Sequence, residues 1–325
     1  MNAWIRVAGG VGIAGLAAAA VAQVKIDPAL ANEVAAMRDA YNKMPDTPGT
    51  GPYRAVKETA TALPDHVVYR PADLSRFGPS RKLGVLVWGN GGCSDDGASA
   101  RLHLEEIASH GYIAVAPGGV HSGPGATAEP PRPQPTASAG LPPVATTYKD
   151  VLAGLDWVLA ENGRKGSPLY GKVDPAMVAV AGHSCGGLQA LQIAGDQRIK
   201  AVIINNSGIF ADNSQPISGI HVEKSLLKTL HTPVIYILGG PKDIAYPNGM
   251  DDFAKIDTVP AMVANLPVGH LGTFAKPNGG VVASVSVDWL DWQLKGDKQA
   301  AKRFKGKDCG LCTDPAWSVE RKGID

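Results

Sequence analysis

Short continuous apolar runs alternate along the chain with amphipathic stretches, and this rhythm sets the expected architecture. Residues 66–71 alternate like a half-exposed strand, whereas 82–88 (Lys-Leu-Gly-Val-Leu-Val-Trp) form the near-continuous apolar run of a strand covered on both faces. Helical spacing follows at 102–110, then a strand at 111–117. After a long break comes a helix at 148–162, with Val151, Leu155, Val158 and Leu159 on one face. Further strands are predicted at 174–181, 201–205, 232–238 and 260–266, the last of these as the final strand. Helices are predicted from 188 onward, at 222–230, and at 281–304, where Trp289 and Trp292 read as core anchors. Strands alternating with helices predict βαβ units and a mostly parallel sheet, an α/β fold. No repeat and no linker divides the chain, so residues 23–325 are expected to form one domain.

The breaks in the pattern carry information of their own. Residues 118–146 are dominated by proline, glycine, alanine and threonine, and they follow a strand whose carboxyl end should face the site. This segment is expected to form a rim of the substrate cleft, with His121 as a surface residue. Upstream, a helix at 28–43 is predicted to stop at the breaker cluster 44–49. Residues 1–22 have one cation, Arg6, an apolar run at 7–20, and Ala20-Val21-Ala22 before Gln23. That is the layout of a secretory signal peptide; the run is short and glycine-rich for a membrane anchor. A secreted or periplasmic location is therefore expected, with no stable membrane insertion after cleavage.

With 44% hydrophobic and 19% charged residues, the 325-residue chain has the composition of a globular protein with a sizeable core. Removing Arg6 leaves 30 basic and 30 acidic residues, so charge does not point to nucleic acid or an anionic membrane as partner. The chain has four cysteines, which in an exported protein predict two disulfides. Cys309 and Cys312 lie in a polar loop. A redox C-x-x-C would follow a strand and cap a helix, and a zinc site would need two further ligands nearby. With neither pattern present, a small structural bridge is expected.

The candidate chemistry centres on residues 178–187, an apolar run that breaks into Gly182-His183-Ser184-Cys185-Gly186 and then into a helical pattern. A serine hydroxyl needs a neighbouring base, and its attack on a carbonyl needs donors for the oxyanion it creates. A tight strand-to-helix turn exposes Ser184, and glycines two before and two after it remove the Cβ atoms that would collide. Two more strand ends carry complementary groups: Asp243 in Gly239-Gly-Pro-Lys-Asp, and His270 in Pro267-Val-Gly-His. Open α/β sheets place their sites at such carboxyl ends. Asp95, Asp96 and Asp212 are rival acids, and Cys185 is a rival nucleophile that the elbow does not present. His183 is expected to pack or hydrogen-bond locally.

In its elbow, its element order and its serine, acid, histidine sequence, the chain resembles the α/β-hydrolase family over nearly all of residues 23–325, without a large lid domain. That resemblance implies Ser184 as nucleophile, His270 as general base, and Asp243 as the group that orients the imidazole. It implies oxyanion donors from the backbone of Cys185 and from the loop after 82–88, where the family often has His-Gly and this chain has Trp88-Gly89-Asn90-Gly91-Gly92-Cys93, with Asn90, beside Gly91, as the expected donor. Since those two loops would converge on one carbonyl oxygen, it also implies a Cys93–Cys185 disulfide beside Cys309–Cys312. The implied activity is hydrolysis of small-molecule or polymeric carboxylic esters through an acyl-enzyme, closest to the dienelactone hydrolase-like and polyester hydrolase-like branches, with no metal or organic cofactor. The alternatives are an amidase, or a noncatalytic ligand-binding or cell-envelope protein that keeps the fold.

Overall fold

The computed structural model describes residues 36, 39–127 and 143–325. The expected signal segment lies outside the described residues, as does most of the 28–43 helix, of which 36 and 39–43 are helical. Among the described residues no helix is long and apolar enough to cross a membrane.

One sheet organises the described chain. Its strands are β1 (Ala55–Ala60), β2 (Leu63–Pro71), β3 (Leu83–Gly89), β4 (Tyr112–Pro117), β5 (Val173–His183), β6 (Ala201–Asn205), β7 (Val234–Leu238), β8 (Ala261–Asn265) and β9 (Ser318–Lys322). Their spatial order is β1-β2-β4-β3-β5-β6-β7-β8-β9. The six from β4 to β8 run parallel, while β2 is antiparallel to β1 and β4, and β9 is antiparallel to β8. The helices are α1 (Arg101–Ser109), α2 (Tyr148–Gly163), α3 (Cys185–Ile193), α4 (Tyr246–Lys255), α5 (Gly280–Lys295) and the single turns α6 (Lys298–Ala301) and α7 (Gly310–Thr313).

The continuous apolar runs of the central strands follow from burial on both faces. Val85, Val87, Val180, Val202 and Tyr236 pack under Leu155 and Val158 of α2, Leu188 and Leu191 of α3, and Phe253 of α4. The alternate residues Leu86, Trp88, Ala179, Ile203 and Ile235 pack under Leu104 and Ile107 of α1 and Val285, Trp289 and Leu290 of α5. Trp289 is fully buried and meets Phe304 edge-on at 5.2 Å between ring centroids. A capping box starts α2: the Thr147 hydroxyl accepts from Lys149 N, and the Asp150 carboxylate accepts from Thr147 N at 2.7 Å.

Five elements depart from the sequence expectation. The strand at 260–266 is β8, but it is not the last; β9 (Ser-Val-Glu-Arg-Lys) follows as a polar edge strand without an apolar run. β1 is a second such edge. Helix α4 was not predicted, because its opening Tyr-Pro-Asn-Gly reads as a breaker; proline at the first turn of a helix has no N–H to lose. The 222–230 helix is a 3-10 segment, Lys224–Thr229, and the 281–304 helix ends at Lys295, where Gly296 adopts a left-handed φ of 67°.

Upstream of β1 the chain straps across α1. Arg101 is fully buried, donates to Tyr41 O at 2.6 Å and Met44 O at 2.8 Å, pairs with Asp46 at 2.9 Å, and lies 3.9 Å over the Tyr41 ring. Thr47 N and Thr50 N donate to Glu105 and Glu106 of the same helix, each at 2.8 Å.

Candidate active site

Strand β5 ends at His183, and the chain turns into α3 within one residue. Ser184 takes that turn with φ 53° and ψ −123°, a backbone conformation that a residue with a Cβ adopts only when its surroundings impose it. Two close approaches impose it. A Cβ on Gly182 would lie 2.1 Å from Gly186 O, and one on Gly186 would lie 2.1 Å from Gly89 O. The elbow is held from below by Ser184 N donating to Asn205 O at 3.0 Å and by Ser207 Oγ donating to Ser184 O at 2.6 Å.

Asp243 and His270 reach this serine from the ends of β7 and β8. His270 Nδ1 lies 2.6 Å from Asp243 Oδ1, and His270 Nε2 lies 2.9 Å from Ser184 Oγ. Asp243 is 1% exposed. Burial alone would raise its carboxyl. The His270 hydrogen bond and charge, with the N–H groups of Ala245 (2.9 Å) and Gly239 (3.0 Å), outweigh burial and bring it down to about 2. An ionised Asp243 can only accept, so Nδ1 carries the proton. That leaves the Nε2 lone pair to accept from the Ser184 hydroxyl.

Of the rival acids, Asp212 is exposed and accepts from Ser214 N at 3.0 Å in its own turn. Asp96 accepts from Ala98 N and His121 N, and Asp95 lies in the same loop. Of these acids, Asp243 is the one hydrogen-bonded to the His270 ring among the described residues.

Both expected cysteine pairs stand at disulfide distance. Cys93 and Cys185 have Cα atoms 5.3 Å apart and an S–S separation of 1.94 Å; for Cys309 and Cys312 the values are 4.9 and 2.15 Å. The first pair ties the loop after β3 to the first residue of α3. That loop is also fixed by Asn90, whose buried side chain donates to Ser94 O at 2.9 Å and Pro117 O at 2.7 Å. Asn90 N faces the elbow: a Cβ on Gly186 would lie 2.6 Å from it. The 118–146 segment leaves from the end of β4 and returns to this loop, Ala145 N and Thr146 N both donating to Cys93 O at 3.0 Å. Its middle, 128–142, lies outside the described residues.

Sequence reasoning missed Asn206, whose Nδ2 donates to Asp243 Oδ2 at 2.8 Å and Gly269 O at 3.1 Å, joining the acid to the histidine loop. The available signal was Asn205-Asn-Ser, polar residues that end an apolar strand at the same sheet edge. It also missed the exposed aliphatics beside the acid and histidine, Ile244 (61% exposed) and Val268 (44%). Among the described residues no group of three or more His, Cys, Asp or Glu is arranged to hold a metal ion. No protein-family model and no curated protein matches the chain.

Proposed function

We propose that the protein is a serine hydrolase of the α/β-hydrolase fold that cleaves carboxylic esters. The observation that carries this reading is the hydrogen-bonded chain from Asp243 through His270 to Ser184 Oγ, with the serine raised on a strained strand-to-helix turn. The strand order, with the central parallel strands covered on both faces and the three groups at carboxyl ends, supports it.

In the proposed reaction His270 Nε2 takes the proton of Ser184 Oγ as that oxygen bonds to the ester carbonyl carbon. The carbonyl electron pair moves onto oxygen, where the backbone N–H groups of Cys185 and Asn90 receive it. Collapse breaks the carbon–alkoxide bond, and His270 Nε2–H passes its proton to the departing alcohol. Water, deprotonated by the same nitrogen, then releases the acid and restores Ser184. Asp243 stays ionised through both steps and stabilises the imidazolium. Ile244, next to Asp243 in sequence, and Val268, two residues before His270, are exposed aliphatic side chains, which suits an ester with an apolar acyl or alcohol part.

Export is part of the proposal. Two cysteine pairs at disulfide distance fit an oxidising compartment, and N-terminal sequencing of the protein recovered outside the cytoplasm should begin at Gln23. The activity is tested by p-nitrophenyl acetate hydrolysis and by labelling with a fluorophosphonate. Ser184→Ala should abolish both while the circular dichroism spectrum is unchanged. Near wild-type turnover in that variant would remove Ser184 as nucleophile.

A further inference from the structure

His183 is the one ring in the elbow to which the proposed mechanism gives no task, yet it touches both halves of the site. It ends β5 opposite Asn205 of β6, directly before the turned-out serine. One edge of the imidazole faces the histidine loop, with Nε2 2.9 Å from His270 O. A carbonyl oxygen only accepts, so Nε2 carries the hydrogen and donates. The other edge faces the loop after β3: a Cβ on Gly91 would stand 2.6 Å from His183 Nδ1 and 3.3 Å from Cε1. The ring packs against Phe274 at 4.8 Å and beside the His270 ring at 5.3 Å between centroids.

Burial, and after it the neighbouring His270 charge, push the His183 imidazole down to about 4, so it is neutral at ordinary working pH. Neutrality matters at this spot. A cation so close to His270 would oppose the imidazolium that must form when the serine proton is taken. A neutral, rigid ring can instead fill the gap between two loops that carry no direct backbone bond to one another among those described.

We infer that His183 is a positioning residue, a spacer that fixes the separation between the oxyanion loop at Gly91 and the histidine loop at His270, so that base and oxyanion donors address the same acyl carbon. This rests on the hydrolase reading and deepens it. A displacement of about 1 Å between such groups costs on the order of 10²-fold in rate.

The test measures kcat and KM for p-nitrophenyl acetate. His183→Ala should lower kcat by about 10²-fold with KM within threefold of wild type. His183→Gln, whose Nε2 can replace the lost donor, should recover at least tenfold of that loss. Gly91 has no left-handed φ, so Gly91→Ala adds a Cβ against the ring without straining the backbone. It should lower kcat by about tenfold in the wild-type background and by less than twofold beside His183→Ala, a non-additivity that reports the contact. A His183→Ala kcat within threefold of wild type, or a loss that Gln does not recover and that adds independently to Gly91→Ala, would overturn the inference. If wild type itself neither hydrolyses ester nor takes the fluorophosphonate, the hydrolase reading fails on its own account. The spacer is then read by imidazole ¹H–¹⁵N spectra: an exchange-protected His183 Nε2–H that shifts in Gly91→Ala upholds the contact, and an unshifted, freely exchanging one removes it.

Discussion

Replacing both Cys93 and Cys185 by alanine separates two roles that one bridge could play. The sulfurs close a loop with a sequence separation of 92, against 3 for Cys309 and Cys312. In the chain-entropy description the long loop is worth about 4.6 kcal/mol and the short one about 2 kcal/mol. With an unfolding entropy of roughly 0.6–0.7 kcal/mol/K for a chain of this size, the first figure corresponds to a fall in Tm of about 7 °C. The local effect has a different scale. Losing an oxyanion donor outright costs about 10²–10³ in kcat, but this loop keeps the two Asn90 side-chain bonds and the Ala145 and Thr146 bonds to Cys93 O. A slackened rather than absent donor is expected, with kcat down by about tenfold at 25 °C, where the variant is still folded. Calorimetry and steady-state hydrolysis on one preparation read both quantities, and peptide mapping without reductant reads the bridge itself. A Tm fall of this size with unchanged kcat would refute the preorganising role and leave a staple. Recovery of alkylated, free Cys93 and Cys185 from oxidised wild type would refute the bridge.

The acid should be identified by ranking. Asp243→Asn is expected to lower kcat by on the order of 10⁴, because the amide favours the wrong imidazole tautomer, while Asp212→Asn stays within threefold; the reverse order would move the acid to Asp212. His103, fully buried against Trp88 and Phe274 with neither ring nitrogen hydrogen-bonded among the described residues, is pushed down to about 3 by burial, from an ordinary 6.5. The unfolded chain therefore binds the proton first on acidification. The stability this contributes is complete above pH 6.5 and declines toward pH 3, by on the order of 2 kcal/mol at pH 5. His103→Phe should remove that decline; urea midpoints at pH 7.5 and 5.0 that differ as much in the variant as in wild type would refute it. At Asp252, fully buried and bonded to Lys224 Nζ at 2.6 Å, Ile209 N at 2.8 Å and Tyr236 OH at 3.2 Å, removing the cation should cost more than neutralising the acid. Lys224→Met is expected to destabilise by about 3–5 kcal/mol and Asp252→Asn by less; equal urea midpoints for the two would refute this.

The parallel strands were legible because burial on both faces writes a continuous apolar run, as in Ala201–Asn205 and Val234–Leu238. β1 and β9 were not, because an edge strand shields its open side with Lys, Glu and Arg and so resembles a loop. Ser184, Asp243 and His270 stood out since each follows an apolar run that breaks at glycine. Asn206 and the task of His183 depend on which strands are neighbours. Asn206 meets Asp243 only because β6 lies against β7, and His183 meets His270 across 87 positions of sequence. Spacing along a chain carries no such information.

The buried guanidinium of Arg101 moves the upstream limit of the fold well ahead of its first strand. Residues 44–50 look like expendable leader in front of β1, and a trimmed recombinant protein would naturally begin near Pro52. Such a protein would keep every strand of the sheet and lose Tyr41, Met44 and Asp46, the groups that face a side chain with no exposure. The cut would take away these partners together with the chain that covers them, opening the guanidinium and this face of α1 to solvent and losing the buried hydrogen bonds that tie the strap to the helix. Because α1 follows directly on the loop of Asn90 and Cys93, the damage from that cut would appear as lost turnover as well as poor solubility, far from the point of excision.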